Sequence, residues 1–260
     1  FNIIDTPGSD DFVGGVYSAF SVAENGILLV NATQGVEVGT EIFARHAVKH
    51  QKPLIIAVNQ LDNEKQDWQA TIDSLKATFG NKVVLVQYPV NPGPDFDTFI
   101  DVLKMKMYKF KDENGTRESF EIPDEYKEEA LALQQQLVEM AAENDETLME
   151  TFFDKGVLTE DEIRAGMKAG MQMGDILPVF CLSAKKDIGV KRIMEFTINA
   201  GIAPDKVENE LKDGNTVKVD SNGPTSIFVY KTAQEQHLGD VSYFKVMSGK
   251  LTEGMDVVNP

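Results

Sequence analysis

The chain has 260 residues, of which 42 are acidic and 25 are basic, giving a net charge of −17 and a hydrophobic share of 42%. These values exclude disorder over most of the length, and the single Cys181 excludes a disulfide framework and fits a reducing, cytoplasmic setting. The longest apolar runs are far shorter than the roughly 20 residues that span a bilayer, so we expect no membrane partner. Because residues 1–4 resemble the end of a strand and residues 257–260 the middle of a domain, we expect an internal fragment of a longer protein.

The negative charge is concentrated in one segment. Between Asp112 and Glu162 there are 17 acidic residues against Arg117, Lys127 and Lys155, so this segment carries −14 of the net −17. Such a face repels nucleic acid, which argues against DNA as a partner, and attracts basic proteins. The alternative, which stays open, is a charged helical surface that is only solvated.

The first 62 residues alternate strands and helices. The predicted elements are a strand ending at residue 4, a helix with Phe12, Val16, Phe20 and Ala23 on its apolar face, a strand over residues 26–30, a helix over residues 40–49 and a strand over residues 54–58. The two later strands are continuous apolar runs, typical of strands buried on both faces. This order predicts a parallel sheet with right-handed crossovers.

Residues 63–173 differ in character and predict an inserted α+β subdomain. The predicted elements are a helix with Trp68, Ile72, Leu75 and Phe79 on one face, a strand over residues 83–88, a half-exposed strand around Leu103, Met105 and Met107, a helix over residues 124–144, and a helix opened by the capping box Thr159-Glu160-Asp161-Glu162.

The parallel sheet resumes after the insertion. Residues 176–182 predict a third buried strand, and residues 190–198 a helix. The predicted α/β architecture is therefore a parallel sheet in residues 1–62 and 174–203. A linker over residues 204–223 and the first strands of an antiparallel β domain over residues 224–260 follow.

Three short motifs each follow a predicted buried strand, and the ligand crevice of an open parallel sheet lies at those carboxyl ends. In Asp5-Thr6-Pro7-Gly8, the carboxylate can hold the shell of a Mg²⁺ ion, and the glycine lets its backbone N–H approach a terminal phosphate.

The other two motifs have the chemistry of guanine recognition. In Asn59-Gln60-Leu61-Asp62, the Asp62 carboxylate can accept two N–H bonds from guanine, and Asn59 would brace the loop. In Ser183-Ala184-Lys185, a backbone N–H can mark the guanine oxygen, and the stem of Lys185 can stack on the base. Each motif alone is common, but the three in order form a specific pattern.

With these motifs the chain resembles the translational GTPases, and most closely bacterial elongation factor G. The resemblance covers nearly all 260 residues, including Gly35-Val36-Glu37, residues 102–106, residues 146–163 and residues 246–254. It implies a P-loop GTPase-type fold, a β-barrel second domain that begins in residues 224–260, GTP or GDP with Mg²⁺ as cofactors, and the ribosome as partner. The implied activity is ribosome-dependent GTP hydrolysis in translocation or recycling.

The resemblance also implies roles for particular residues. It places Asp5, Thr6, Pro7 and Gly8 near Mg²⁺ and the γ-phosphate, with the metal contact of Asp5 indirect. It places Asn59, Gln60, Asp62, Ser183, Ala184 and Lys185 around guanine. For the acidic insertion it implies contact with the stalk protein of the large ribosomal subunit, beside ribosomal RNA and other ribosomal proteins.

The sequence departs from the family pattern at three places. Ser9 stands where the family usually has the water-positioning His, and Gln60 stands where it usually has Lys. No Gly-x-x-x-x-Gly-Lys-[Ser/Thr] phosphate loop occurs in the 260 residues. We therefore expect no GTP bound to this chain alone and no hydrolysis by it.

Three functions stay open at this point: a ribosome-dependent GTPase, a non-hydrolysing GTP-dependent ribosome-binding factor, and a ribosome-protection or release-factor paralogue. Two other candidate sites are weaker. His46 and His50 are spaced like a metal pair but lack further ligands, so we interpret them as structural. Cys181 lies in a predicted buried strand and is interpreted as an inert core thiol.

Overall fold

The four-stranded parallel sheet and the four-stranded antiparallel sheet lie in the same compact unit. The computed structural model describes residues 1–112, 114–207, 209–210, 214 and 216–259. One compact unit is Asn25–Gly201, and the other combines Phe1–Glu24 with Ile202–Pro260.

Seven helices and twelve strands are present in the described ranges. The helices are α1 (Val13–Phe20), α2 (Val38–Lys49), α3 (Trp68–Phe79), α4 (Asp124–Glu143), α5 (Glu146–Lys155), α6 (Glu160–Met173) and α7 (Val190–Ala200). The strands are β1 (Gly26–Asn31), β2 (Leu54–Asn59), β3 (Val83–Leu85), β4 (Gln87–Pro89), β5 (Thr98–Asp101), β6 (Lys106–Phe110), β7 (Arg117–Phe120), β8 (Leu177–Cys181), β9 (Asn209–Glu210), β10 (Thr216–Val217), β11 (Ser226–Glu235) and β12 (Gly239–Ser248).

The unit Asn25–Gly201 contains two four-stranded sheets. The first is parallel, with strand order β1-β2-β8-β3, and the second is antiparallel, with strand order β4-β5-β6-β7. Val86 joins them: its N–H donates to the Val179 carbonyl in the first sheet, and its carbonyl accepts from Val102 beside the second. The two sheets share one core, with Ile55, Phe180, Ile100, Leu137 and Met167 buried together.

Two of the predicted strands have different limits in the structure. The run predicted as one strand over residues 83–88 is two strands, because the chain passes from one sheet to the other at Val86. The strand predicted around Leu103 and Met105 begins only at Lys106, because Met105 has a left-handed φ of 49° that ends the extended run.

Two predictions about the first strands are wrong. Residues 1–4 do not end a strand: residues 1–8 have no regular secondary structure, because they pair with no strand of the described chain. Strand β1 is not buried on both faces, since Ile27 and Leu29 are 50% and 59% exposed. Only Leu28 and Val30, on the alternate face, are buried, because side chains alternate along the strand and only one face of β1 is covered.

Helices α4 and α6 pack closely through a glycine. A Cβ added at Gly166 would lie 2.2 Å from the backbone oxygen of Ala141, so no larger residue fits without moving a helix. The predicted capping box of α6 is confirmed: the Thr159 N–H donates to Glu162 Oε2 at 2.7 Å, and Thr159 Oγ1 accepts from the Glu162 N–H at 3.3 Å.

The second unit contains α1 and the long antiparallel hairpin β11–β12. Lys245 on β12 donates to the Val22 carbonyl at 2.7 Å and pairs with the Glu24 carboxylate, which ties the hairpin to the end of α1. The predicted linker over residues 204–223 includes positions 208, 211–213 and 215, which lie outside the described residues. In the described part of the chain, no helix is long and apolar enough to cross a membrane.

The predicted domain boundaries stay a prediction, but one strand in the predicted insertion belongs to the parallel sheet. Strand β3 lies within residues 63–173 and pairs with β8. The antiparallel sheet begins only with β4, at Gln87.

Candidate functional site

Strands β2 and β8 bring two of the three motifs together. They are parallel neighbours, with Val58 opposite Cys181 in the ladder. Because their carboxyl ends lie at the same edge of the sheet, the loops that leave them are adjacent. We call residues 59–62 the first base loop and residues 183–188 the second base loop.

Hydrogen bonds join the two base loops directly. Ser183 Oγ donates to Asp62 Oδ1 at 2.8 Å, and the Ala184 N–H donates to Asn59 Oδ1 at 3.0 Å. Behind them, the Leu61 N–H donates to the Leu182 carbonyl at 3.3 Å. Ser183 is fully buried, whereas Asp62 and Asn59 are half-buried. The side chains predicted to recognise guanine are therefore held in place by one another.

The groups that remain unpaired fit a purine with N–H donors and a carbonyl. Asp62 Oδ1 accepts from Ser183, but no described residue donates to Oδ2. In the second base loop, the N–H of Lys185 has no acceptor in the described part of the chain, whereas those of Ser183, Ala184 and Lys186 do. A carboxylate oxygen without a donor in one loop and a backbone N–H without an acceptor in the joined loop are the kinds of group that the edge of guanine requires.

The two longer side chains of the motifs lie at the surface. Gln60 and Lys185 are exposed. Gln60 has a left-handed φ of 64°, and its carbonyl accepts from the Asn63 N–H at 3.0 Å in a tight turn. Long side chains at these positions are free to cover a base.

A backbone bridge closes the second base loop. The Ser183 N–H donates to the Ile188 carbonyl, and the Ile188 N–H donates to the Ser183 carbonyl, both at 3.0 Å. Gly189 follows with a φ of 86°, and a Cβ added there would lie 2.2 Å from the Cys181 backbone oxygen. Sequence reasoning missed Gly189, although a glycine between a loop and a helix was a signal for a special backbone position.

Lys186 is a second residue that sequence reasoning missed. Its Nζ donates to the Pro94 carbonyl at 2.5 Å and lies 3.4 Å from the Phe96 carbonyl oxygen, both in the loop between β4 and β5. No sequence pattern indicated this contact, because the two loops are about 90 residues apart in the chain.

The first motif is not assembled in the same way. Asp5, Pro7 and Gly8 are exposed and Thr6 is half-buried. No described residue donates a hydrogen bond to the Asp5 carboxylate, and a Cβ added at Gly8 would meet nothing within 4 Å. Ser9 is exposed, and its carbonyl accepts from the Phe12 N–H at 3.0 Å at the start of a short 3₁₀ turn.

The described residues offer different groups to a base and to a metal ion. The base loops present the groups that guanine requires. Among the residues described, no three His, Cys, Asp or Glu side chains lie close enough together to hold a metal ion. A Mg²⁺ ion that is held mainly by phosphate oxygens and water needs no such cluster.

The two weaker candidates behave as structural groups. The rings of His46 and His50 stack with centroids 5.6 Å apart, and burial with the charges of His50 and Lys49 lowers the pKa of His46. Cys181 is buried, and burial with the charge of Asp101 raises the pKa of its thiol, so it is not a reactive thiolate.

Comparison with known proteins decides the family. Residues 1–202 match the family described as the elongation factor Tu GTP binding domain. The chain belongs to this family. An elongation factor G-like protein of Thermotoga maritima is 31% identical over 262 residues, covering 99% of this chain and 38% of its own length. Elongation factor G of Thermotoga neapolitana is 33% identical over 265 residues, with the same two coverages, 99% and 38%.

A solved structure gives the same fold. A crystal structure of a Thermus thermophilus protein superposes with a TM-score of 0.81 at 27% identity, covering 96% of this chain and 36% of that one. The expected GTPase-type α/β fold and the resemblance to elongation factor G are confirmed. The chain spans about two fifths of the length of the curated relatives that it matches.

Proposed function

We propose that this chain supplies the guanine-recognition part of a cytoplasmic, GTP-dependent translation factor of the elongation factor G type. That factor would act on the ribosome in translocation or recycling. The observation that carries the proposal is the pair of hydrogen bonds from Ser183 to Asp62 and from Ala184 to Asn59, which join the two base loops. Membership in the elongation factor Tu GTP-binding family supports the same ligand.

Each residue of the base loops has a defined role in this proposal. Asp62 accepts from the two N–H groups of guanine, and Ser183 holds the carboxylate in place. Asn59 fixes the second base loop through Ala184. The backbone N–H of Lys185 donates to the guanine oxygen, and the stems of Gln60 and Lys185 cover the ring.

Base selectivity can be tested on the 260-residue chain. A weak ligand is best followed by amide shifts in an NMR titration with GMP, and AMP serves as the matched control. We expect GMP to shift the amides of residues 59–62 and 183–186 at millimolar concentrations, with no such shifts from AMP. Equal shifts from both nucleotides would contradict guanine recognition.

The phosphate groups and Mg²⁺ need parts that the 260 residues do not supply. The family uses GTP or GDP with Mg²⁺, which neutralises phosphate charge. In the proposal, Asp5 and Gly8 would serve the phosphates only beside a phosphate loop. We therefore expect no calorimetric binding of GTP at micromolar concentrations, and a micromolar dissociation constant would overturn this assignment.

Ser9 favours a second candidate, a factor that binds GTP and the ribosome without hydrolysis. A serine hydroxyl is shorter than an imidazole and does not reach the same place against a phosphate, and positioning of water contributes much of the rate in phosphoryl transfer. The test is single-turnover GTP hydrolysis on ribosomes by an elongation factor G whose matching segment is replaced by this chain. Its Ser9→His variant is the control. Hydrolysis that only the His variant shows supports the second candidate, whereas equal hydrolysis by both excludes it.

The acidic insertion is proposed to attract a basic protein on the ribosome, with the stalk protein as the expected partner. Glu125, Glu128 and Glu129 on α4 are exposed, and none forms an ion pair within the described residues. Electrostatic steering raises association rates and fades with salt. Reversing these three charges in the same chimeric factor should slow ribosome association at low salt, with nucleotide affinity unchanged. Equal rates across a salt series would show a face that is merely solvated.

A further inference from the structure

The antiparallel sheet contacts the second base loop through charged side chains. Lys186, inside that loop, donates to the carbonyls of Pro94 and Phe96 before β5. The β6–β7 turn approaches the same loop, since a Cβ added at Gly115 would lie 2.7 Å from Asp187 Oδ2. Two separate parts of the second sheet therefore touch a loop that leaves the first.

A buried ion pair fixes the helix that follows the loop. Arg192, in the first turn of α7, donates through Nε to Asp101 Oδ2 at 2.6 Å, and the two side chains are only 3% and 0% exposed. Asp101 Oδ1 also accepts from the Lys104 N–H at 3.0 Å. Breaking a buried pair leaves an uncompensated charge, so this contact holds α7 in one position on the second sheet.

The strand before the loop is held by the same network. Gln87 of β4 accepts from the Cys181 N–H at 3.2 Å, and its Nε2 lies 3.4 Å from Asp101 Oδ2. Cys181 is the last residue of β8. The second base loop is thus bounded on both sides by residues that hydrogen-bond to the antiparallel sheet, at Cys181 before it and at Arg192 after it.

A third contact lies further along α7. Glu195 accepts from Lys104 Nζ at 2.5 Å and faces Arg117 Nη2 at 3.9 Å. Burial alone would raise the pKa of Glu195, but the hydrogen bond from Lys104 and the charges of Arg192, Lys104 and Arg117 together lower it. The helix is therefore held to the second sheet at more than one point.

We propose that Lys186 and Arg192 are positioning residues for guanine recognition, which anchor the second base loop and α7 to the antiparallel sheet. They do not touch the base. They hold Ser183 and Ala184 where these reach Asp62 and Asn59. The inference rests on the proposed function for its ligand, but the anchoring itself is a property of the free chain.

Lys186→Met tests the anchor without leaving a buried charge, because Lys186 is half-buried and both of its acceptors are backbone carbonyls. Lys82→Met is the matched control. Lys82 donates to the Gly174 carbonyl at 2.7 Å and also pairs with Asp175 at 3.1 Å, just before β3 and β8 begin and so at the opposite end of β8 from the second base loop. Lys186→Arg keeps the charge and should restore the wild-type behaviour.

The first readout is amide hydrogen exchange in the free chain. We expect the Ala184 N–H, which donates to Asn59, to exchange about tenfold faster in Lys186→Met, the change that follows from losing one hydrogen bond to a charged donor. Lys82→Met should leave the exchange of Ala184 unchanged, and Lys186→Arg should restore it. Equal exchange of Ala184 in the two Met variants would overturn the proposal.

The second readout is the dissociation constant of GMP from the NMR titration. It should rise about tenfold in Lys186→Met and stay within about twofold of wild type in Lys82→Met. If the wild-type chain shows no GMP shifts, the proposed function fails, and the exchange of Ala184 still decides whether the anchor exists. If GMP binds and Lys186→Met leaves both readouts unchanged, the positioning role is wrong while guanine recognition stands.

Discussion

The guanine end and the phosphate end of the expected nucleotide site differ sharply in how they are built. Residues 59–62 and 183–188 form loops at the ends of neighbouring strands of one compact unit and hydrogen-bond to each other. Residues 5–8 are mostly exposed, and no described residue donates to the Asp5 carboxylate. The Asp62 carboxylate accepts a hydrogen bond from Ser183, whereas the Asp5 carboxylate accepts none from the residues described.

The difference shows that the Asn25–Gly201 unit holds the guanine end in place without residues from outside it. The loops that follow two adjacent parallel strands lie at the same edge of the sheet, where a few side-chain hydrogen bonds hold them together. A phosphate cradle needs several backbone N–H groups turned toward one point, which a glycine-rich loop before a helix supplies. Nothing in the 260 residues has that sequence. The loops proposed to bind the base are therefore held together in this chain, whereas residues 5–8, proposed to serve the phosphates, have no comparable hydrogen bonds among the described residues.

The largest effect should come from the glycine that closes the second base loop. Gly189→Ala should lower the free energy of unfolding of the Asn25–Gly201 unit by about 3 kcal/mol, because it adds a clash with the Cys181 carbonyl to the cost of a left-handed φ. Gly174→Ala is the control: its φ is 75°, but an added Cβ meets nothing within 4 Å. The control should lose only about 1 kcal/mol in chemical denaturation. Equal losses would show that the close contact at Gly189 does not constrain the loop.

A smaller effect is expected for the bond between the two base loops. Ser183→Ala removes the donor to Asp62 and one of the two acceptors of the Lys186 N–H, and should cost about 1–2 kcal/mol in unfolding free energy. Thr78→Ala removes an exposed hydroxyl that donates to the Ser74 carbonyl, and should cost less than about 0.5 kcal/mol. If the two variants have the same stability, the loops are not held together by this bond.

The anchoring of α7 predicts a dependence on acid pH. The pKa of Glu195 is lowered from its ordinary 4.5, so its stabilisation is complete above about pH 4.5 and is lost as pH falls through the folded-state value. Glu195→Gln should therefore flatten the fall in unfolding free energy below pH 4.5. Lys104→Met, which removes the partner of Glu195, should flatten it in the same way. If neither variant changes the fall in unfolding free energy below pH 4.5, the pair of Lys104 and Glu195 does not contribute to stability.

The smallest effect is expected at the phosphate end. Asp5→Asn should change the unfolding free energy by less than about 0.5 kcal/mol, because the carboxylate is exposed and accepts no hydrogen bond from any described residue. GMP shifts at residues 59–62 should also be unchanged. A destabilisation above about 1 kcal/mol, measured by denaturant titration, would show that the phosphate end is organised after all.

The sequence predicted what depends on local pattern. Runs of apolar residues indicated the strands, and polar residues directly after two of them indicated loops that the structure joins, at Asn59 and Asp62 and at Ser183. The same reasoning failed for β1, because an apolar run does not show whether one or both faces of the strand are covered. It also failed at Val86, where one apolar run serves two sheets.

Polar contacts between residues far apart in the chain could not be predicted from the sequence. Lys186 and Arg192 look like ordinary charged residues in sequence, and their acceptors lie about 90 residues away. Helix α5 was missed as well, although Asp145 at its N-cap and the left-handed Gly156 at its end were local signals. Asp145 accepts from the N–H groups of Thr147 and Leu148.

The most direct test of preorganised guanine recognition is a change of base preference at Asp62. In Asp62→Asn, an amide accepts one N–H and opposes the other with its own donor, so it suits xanthine, which has a carbonyl where guanine has an amino group. NMR titration of the 260-residue chain with GMP and XMP measures both. We expect wild type to bind GMP more tightly than XMP, the xanthine nucleotide. Asp62→Asn should raise the dissociation constant of GMP about tenfold or more, since one mismatched hydrogen bond costs about 1–3 kcal/mol. The variant should then bind XMP more tightly than GMP. An unchanged preference for GMP in Asp62→Asn would show that Asp62 does not read the base, and would contradict the account.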